Sequence, residues 1–224
     1  KGVPTTHSPE ELRRLYERRY GRRTDYRDRV WRVLAHWFGT LVPATSTVLD
    51  LGSGHGEFIR NITAARRLAM DLNPDAARVE GDGVEVVQHD CTQPWPLPDE
   101  SLDVVFTSNF FEHLPTKDDL RRTVVEAHRC LRPGGRLIAL GPNLRLVRGA
   151  YWDFYDHHLP LTERSLAELL VDCGFEIDDA KAAFLPYTMS GGREPPIWAL
   201  RLYLRLPLVW RIFGKQFLVV AHRA

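Results

Sequence analysis

The sequence predicts an α/β protein built on a parallel sheet, and three observations predict it. Short apolar runs alternate with helix-period segments from residue 47 onward, a glycine turn follows the first run, and an aspartate closes each of the first three strands. Alternation of this kind folds into parallel strands joined by right-handed crossovers, because a right-twisted strand feeding a helix packs back onto its sheet only that way.

The elements follow in order. Ser8-Pro9-Glu10-Glu11 reads as a helix start, with Leu12, Leu15 and Tyr16 at helical spacing, and a second amphipathic helix spans 28–41. Residues 1–44 are thus N-terminal helices ahead of the main fold. Strands are expected at 47–52, 67–72, 84–90 and 102–108, with a helix at 56–65 after the first. The stretch 93–99 carries three prolines around Trp95 and reads as a stiff loop. A helix at 117–131, a turn at Pro133-Gly134-Gly135, a strand at 136–140 and a helix at 162–173 complete the alternating part, with Thr162 as the last helix's cap. Two further strands, 175–185 and 216–222, flank an insert at 186–214 that holds Pro195-Pro196 and an apolar, arginine-dotted helix at 197–213.

Composition bounds the rest. A chain of 224 residues with 44% hydrophobic content fits a single domain, 1–224. Thirty basic residues against 29 acidic ones leave a net charge of +1, so nucleic acid is not expected as a partner. Cys91, Cys130 and Cys173 form no CxxC pair and read as thiols of a reducing compartment. No run of about 18 apolar residues exists and no signal-peptide core is seen, so a soluble cytoplasmic protein is expected.

The motif with most chemistry is the strand-turn-helix Val48-Leu49-Asp50-Leu51-Gly52-Ser53-Gly54-His55-Gly56. Its glycines let a ligand approach the backbone, and the helix that follows offers free N–H groups. A dinucleotide-binding G-x-G-x-x-G would place its third glycine at Glu57, where an anion opposes a pyrophosphate. S-adenosylmethionine (SAM) has no phosphate and carries a sulfonium and an ammonium, so acids beside the loop suit it. Asp71, followed by Leu72, ends the next strand about 20 residues on, where a carboxylate can accept both ribose hydroxyls. Asp90, followed by Cys91, ends the third strand, where it can take the adenine amino group.

These residues, with Pro98-Asp99-Glu100-Ser101-Leu102-Asp103, Glu112-His113-Leu114 and Leu131-Arg132-Pro133-Gly134-Gly135, resemble the class I SAM-dependent methyltransferases. The resemblance covers roughly 47–140. It implies a doubly wound, seven-stranded, mostly parallel Rossmann-like sheet with an antiparallel last strand. It also implies cofactor contacts at Asp50, Gly52, Ser53, Gly54, Asp71, Leu72, Asp90, Cys91 and Asn109.

Methyl transfer needs an aligned acceptor and a base for its proton. Two clusters at the sheet's carboxyl edge qualify: Asn109-Phe110-Phe111-Glu112-His113 and Tyr151-Trp152-Asp153-Phe154-Tyr155-Asp156-His157-His158. His157 or His158 is the candidate base, oriented by Asp156, with Glu112 and His113 polarising the acceptor. The alternative is that the histidines only tie a loop to backbone carbonyls. Asn109-x-x-Glu112-His113 resembles a Glu-x-x-Glu-His ligand set of some metal-dependent methyltransferases, with Asn in place of the first anionic ligand; this implies Glu112 and His113 as ligands of a magnesium ion, with His157 or His158 completing the shell.

Tyr151, Trp152 and Tyr155 among carboxylates and histidines suit a polyhydroxylated ring. The run from Tyr151 through Thr162, with Phe184-Leu185-Pro186-Tyr187, is similar to bacterial methyltransferases of sugar and polysaccharide modification. Sugar O-methylation is therefore expected, with a phenol or quinone, a lipid-linked saccharide, or a SAM-binding module without catalysis as alternatives. The arginine-dotted helix reads as a cover or homodimer contact rather than a membrane surface.

Overall fold

The computed structural model describes residues 25–73, 83–187 and 194–224; the helix expected from Ser8 lies outside them. Helix α1 (Asp25–Phe38) precedes a seven-stranded sheet in the order β3-β2-β1-β4-β5-β7-β6. The strands are β1 (Thr47–Leu51), β2 (Arg66–Asp71), β3 (Glu85–Gln88), β4 (Leu102–Ser108), β5 (Leu131–Pro142), β6 (Phe175–Lys181) and β7 (Gln216–Arg223). β7 alone is reversed, antiparallel to both β5 and β6. The helices are α2 (Glu57–Asn61), α3 (Lys117–Cys130), α4 (Leu144–Val147), α5 (Glu163–Asp172), α6 (Ile197–Leu204) and α7 (Pro207–Phe213). The expected doubly wound, mostly parallel sheet with an antiparallel last strand is the architecture found.

Successive strand residues point to opposite faces, and each face carries its own core. Leu49, Leu51, Leu68, Met70, Val105 and Leu137 bury one face against α3 and α5. Val48, Ala69, Val104, Phe106, Ile138 and Val220 bury the other against α1, α2, α6 and α7. Burial on both faces explains why these strands read as near-continuous apolar runs. α3 begins at Thr116, whose hydroxyl accepts the Asp119 N–H at 3.1 Å. α5 begins at Thr162, as expected, in a capping box with Ser165.

Four expectations shift. The helix after the glycine turn stops at Asn61, because Ile62 turns extended and buries its side chain. The turn at Pro133-Gly134-Gly135 sits inside β5 as an irregularity between the Leu102 and Val104 pairings. β6 ends at Lys181 rather than 185, since Phe184 leaves the strand to pack on Trp37 and Trp210, with ring centroids 4.8 and 5.0 Å away. The helix expected at 197–213 is two helices, broken where Pro207 starts α7.

Asn143, fully buried just past β5, joins several of these elements. Its side-chain amide donates to Glu163 at 2.6 Å and to the Ala182 carbonyl at 3.0 Å. Its side-chain oxygen accepts the Arg145 N–H at 3.1 Å, and its own N–H donates to the Lys215 carbonyl at 2.9 Å.

Candidate active site

In a doubly wound sheet the crevice for a ligand opens at the carboxyl ends of the strands where the order reverses, here between β1 and β4. β1 runs into a turn in which Gly52, Gly54 and Gly56 all have positive φ, 67°, 54° and 70°. L-residues with side chains resist that conformation, so the turn requires glycine. At Gly52 the requirement is doubled: a Cβ there would sit 2.2 Å from Cγ of Phe110, whose ring lies directly over the glycine.

Carboxylates hold this turn from beneath. Asp71, at the end of β2, accepts the Gly54 N–H and the Asn73 N–H, each at 2.8 Å. Burial raises its pKa, against the pull of those two amides. Asp50 is buried, and burial together with the charges of Glu57 and Asp71 pushes its pKa well up. Glu57, the first residue of α2, is buried and paired with Arg27 at 2.6 Å. The turn is therefore lined by buried carboxyl groups that repel one another when ionised, a crowding that a cationic ligand relieves and a pyrophosphate would worsen.

Further along the edge, Leu72 is half-buried, and Asp90 accepts the Thr92 N–H and hydroxyl at 2.9 and 2.8 Å. Cys91 is buried, and burial pushes its thiol up to about 12. Asn109, with φ 51°, donates its side-chain amide to Ser108 at 3.0 Å. The ends of β1 and β2 and the loops after β1 to β4 place the expected cofactor residues along one edge of the sheet.

The loops after β4 and β5 bring a second group together. Glu112 is buried, and burial raises its carboxyl to about 7. Its main-chain carbonyl accepts the N–H groups of His158 and Leu159 at 2.8 and 3.1 Å, which clamps the second loop onto the first. His113 Nδ1 lies 3.1 Å from the Asp156 carbonyl and 3.2 Å from its carboxylate. Burial lowers the His113 pKa, but the hydrogen bond to Asp156 and the charges of Glu112 and Asp156 outweigh it and leave a net rise. The buried His157 ring stacks on Phe154 and meets the His113 ring edge-on at 4.9 Å. Ligand atoms of Glu112, His113 and His157 lie within 4.8 Å of one another. The His158 ring is exposed instead and contributes its backbone to the clamp.

This trio does not fit the magnesium ion expected from the sequence. Magnesium takes oxygen ligands, whereas two imidazoles dominate here and the Asn109 amide is turned to Ser108. Glu112 Oε1 instead has no hydrogen-bond partner among the described residues and lies 4.0 Å from His113 Nε2, beyond direct hydrogen-bond reach. The aromatic triplet also divides. Tyr151 is fully buried, its hydroxyl donating to the Leu159 carbonyl, and serves packing; Trp152 and Tyr155 are 52% and 93% exposed. Sequence reasoning missed Phe110 as the ring over Gly52. Its only sequence signal is an aromatic residue beside Asn109 in a loop expected to face the glycine turn.

Comparison with known proteins bears on this site. Residues 49–139, the stretch that carries the turn and Glu112-His113, match the family described as methyltransferase domain. The chain is 36% identical over 107 residues to a malonyl-[acyl-carrier protein] O-methyltransferase of Methylococcus capsulatus, covering 43% of this chain and 38% of the relative. It is 29% identical over 144 residues to a ubiquinone/menaquinone biosynthesis C-methyltransferase of Hahella chejuensis, covering 57% and 56%. The chain therefore spans about half the length of such relatives, or less. A SAM-dependent methyltransferase from Archaeoglobus fulgidus shares the fold, with a TM-score of 0.63 at 19% identity over 95% of this chain and 99% of that one. Residues 49–139 thus resemble a methyltransferase domain, and the solved structure shares the fold of the whole chain.

Proposed function

We propose that the chain transfers the methyl group of SAM to a hydroxyl of a sugar or oligosaccharide-type small molecule. One observation carries the cofactor reading: the glycine turn after β1 lies beside the buried carboxylates Asp50, Glu57 and Asp71, with Glu57 paired to Arg27 and Asp71 bonded to the Gly54 N–H. Such a cradle favours a sulfonium and an ammonium over phosphates. In this reading Asp50, Gly52, Ser53 and Gly54 border the methionine end, Asp71 and Leu72 the ribose, Asp90 and Cys91 the adenine, and Asn109 the gap towards the acceptor.

SAM supplies an electrophilic methyl whose carbon–sulfur bond breaks as the acceptor oxygen attacks, the electron pair staying on sulfur. The protein's part is to align the hydroxyl and to take its proton. Asp156 holds His113 by Nδ1, which leaves Nε2 facing Glu112. His157 packs beside them, so a proton leaving the acceptor enters a linked Glu112-His113-His157 group. Exposed Trp152 and Tyr155 offer flat apolar faces to a sugar ring.

Calorimetric titration with SAM, followed by labelled-methyl transfer onto a panel of saccharides and phenols, tests the reading. Micromolar SAM binding with label on a saccharide oxygen is expected, unchanged after exhaustive chelation. Absence of SAM binding would leave a fold without its cofactor, and label on a ring carbon would move the chemistry to that of the quinone-pathway relative.

A further inference from the structure

The insert between β6 and β7 is bound to the protein by one side only. Leu204 and Trp210 are buried, Tyr203 donates its hydroxyl to the Phe184 carbonyl at 2.6 Å, and Trp210 donates its ring N–H to the Tyr203 carbonyl at 2.7 Å. These contacts fix α6 and α7 in place over the α1 face. The opposite side of the same helices presents Trp198, Leu202, Leu206, Leu208, Ile212 and Phe213, each between 43% and 76% exposed. Six of the ten exposed large apolar side chains among the described residues therefore lie within 16 residues of chain. A cover helix accounts for the inner row and leaves the outer one unexplained.

The charge along this segment has one sign. Arg201, Arg205, Arg211 and Lys215 are exposed, and no Asp or Glu occurs from residue 195 to the chain's last residue, 224. A protein of nearly balanced overall charge thus carries only cations along the segment that holds this apolar row. Apolar side chains flanked by arginines complement a bilayer with anionic headgroups, the former entering the acyl boundary and the latter meeting phosphates. Helices of 8 and 7 residues extend only about 12 and 10 Å. They can lie in the interface but not cross it, and no described helix is long and apolar enough to cross a membrane.

The position is specific as well. Gln216 pairs with Pro142 at the carboxyl end of β5, so the insert emerges at the edge of the sheet that carries the glycine turn and the Glu112 group. We propose that the outer face of α6 and α7 docks this protein on anionic membranes. The docking stands independently of methyl transfer, because it rests on exposed residues outside both loops of that site.

Flotation of the 224-residue chain with phosphatidylglycerol/phosphatidylcholine vesicles, against phosphatidylcholine alone, tests this. Partition onto the anionic vesicles is expected, weakened in about 1 M salt, where the Debye length shrinks to about 3 Å. The triple variant Leu208→Glu, Ile212→Glu, Phe213→Glu alters only exposed positions. It should keep its circular dichroism and melting temperature and lose at least about tenfold in partition. Arg201→Gln, Arg205→Gln and Arg211→Gln should each cost about fivefold on anionic vesicles and little on neutral ones. Brominated acyl chains should quench fluorescence that Trp198→Phe removes. No partition, or partition indifferent to the glutamate variant, overturns the proposal. So does a dimer in light scattering that the same variant dissolves without any lipid effect, which assigns the face to a second copy.

Discussion

The two halves of the candidate site are built from different materials. The half after β1 and β2 is backbone: three glycines at positive φ, tied by Asp71 across 17 residues of chain. The half after β4 and β5 is side chain: a carboxylate and imidazoles from loops more than 40 residues apart, clamped by backbone bonds to Glu112. A backbone-built half tolerates little substitution but is fixed by local sequence. A side-chain-built half can be rewritten residue by residue, which suits the part that must meet a particular acceptor.

The largest effect should come from Gly52→Ala. The left-handed backbone and the Phe110 ring together should cost about 4 kcal/mol, or about a thousandfold in SAM affinity by calorimetry. Affinity within a few-fold of the parent would mean that the turn yields, and the contrast between halves would dissolve. Next is Glu112→Gln. Glu112 has a folded pKa of about 7 against an ordinary 4.5, so the fold favours its protonated form. Its contribution to stability is therefore lost as pH rises from about 4.5 to about 7, a penalty of about 3 kcal/mol above that range. The glutamine variant should denature at higher urea concentration than the parent at pH 8 and equally at pH 4. A less stable variant at pH 8 would show that the ionised carboxylate is held favourably by His113.

His113→Ala and His157→Ala should each lower turnover by about a hundredfold while leaving SAM affinity within about twofold. A matching fall in affinity would merge the halves into one. Asp71→Ala should do the converse, weakening SAM by about tenfold to thirtyfold through loss of charged hydrogen bonds, at little cost to turnover under saturation. His158→Ala should be the mildest, within about twofold in turnover, since its ring is exposed and its N–H makes the clamp.

The same division explains what could be read from the sequence. The sheet was legible because apolar runs and helix periods are local, and the glycine turn because Asp50 through Gly56 carry its conformation in their own types. Pro207 was visible too, and the helix break it imposes follows from its missing N–H. The convergence of Glu112, His113 and His157 was expected as ligands of a metal, but the partner of His113 was not. Asp156 was expected to orient the histidines next to it, and it reaches His113 from 43 residues away. Residue type could not separate buried Tyr151 from exposed Tyr155 four positions on, because an aromatic ring serves a core and a ligand face equally well.

Asn143 has a wider consequence. One residue, through its side-chain amide and its backbone N–H, secures the exit from β5, the start of α5, the stretch after β6 and the entry to β7. Departure and return of the intervening 30-odd residues are thereby pinned at a single rivet. Only the outer row of that stretch is free to change: a graft that keeps Leu204 and Trp210 in the core would give the same frame a new address or a new clientele.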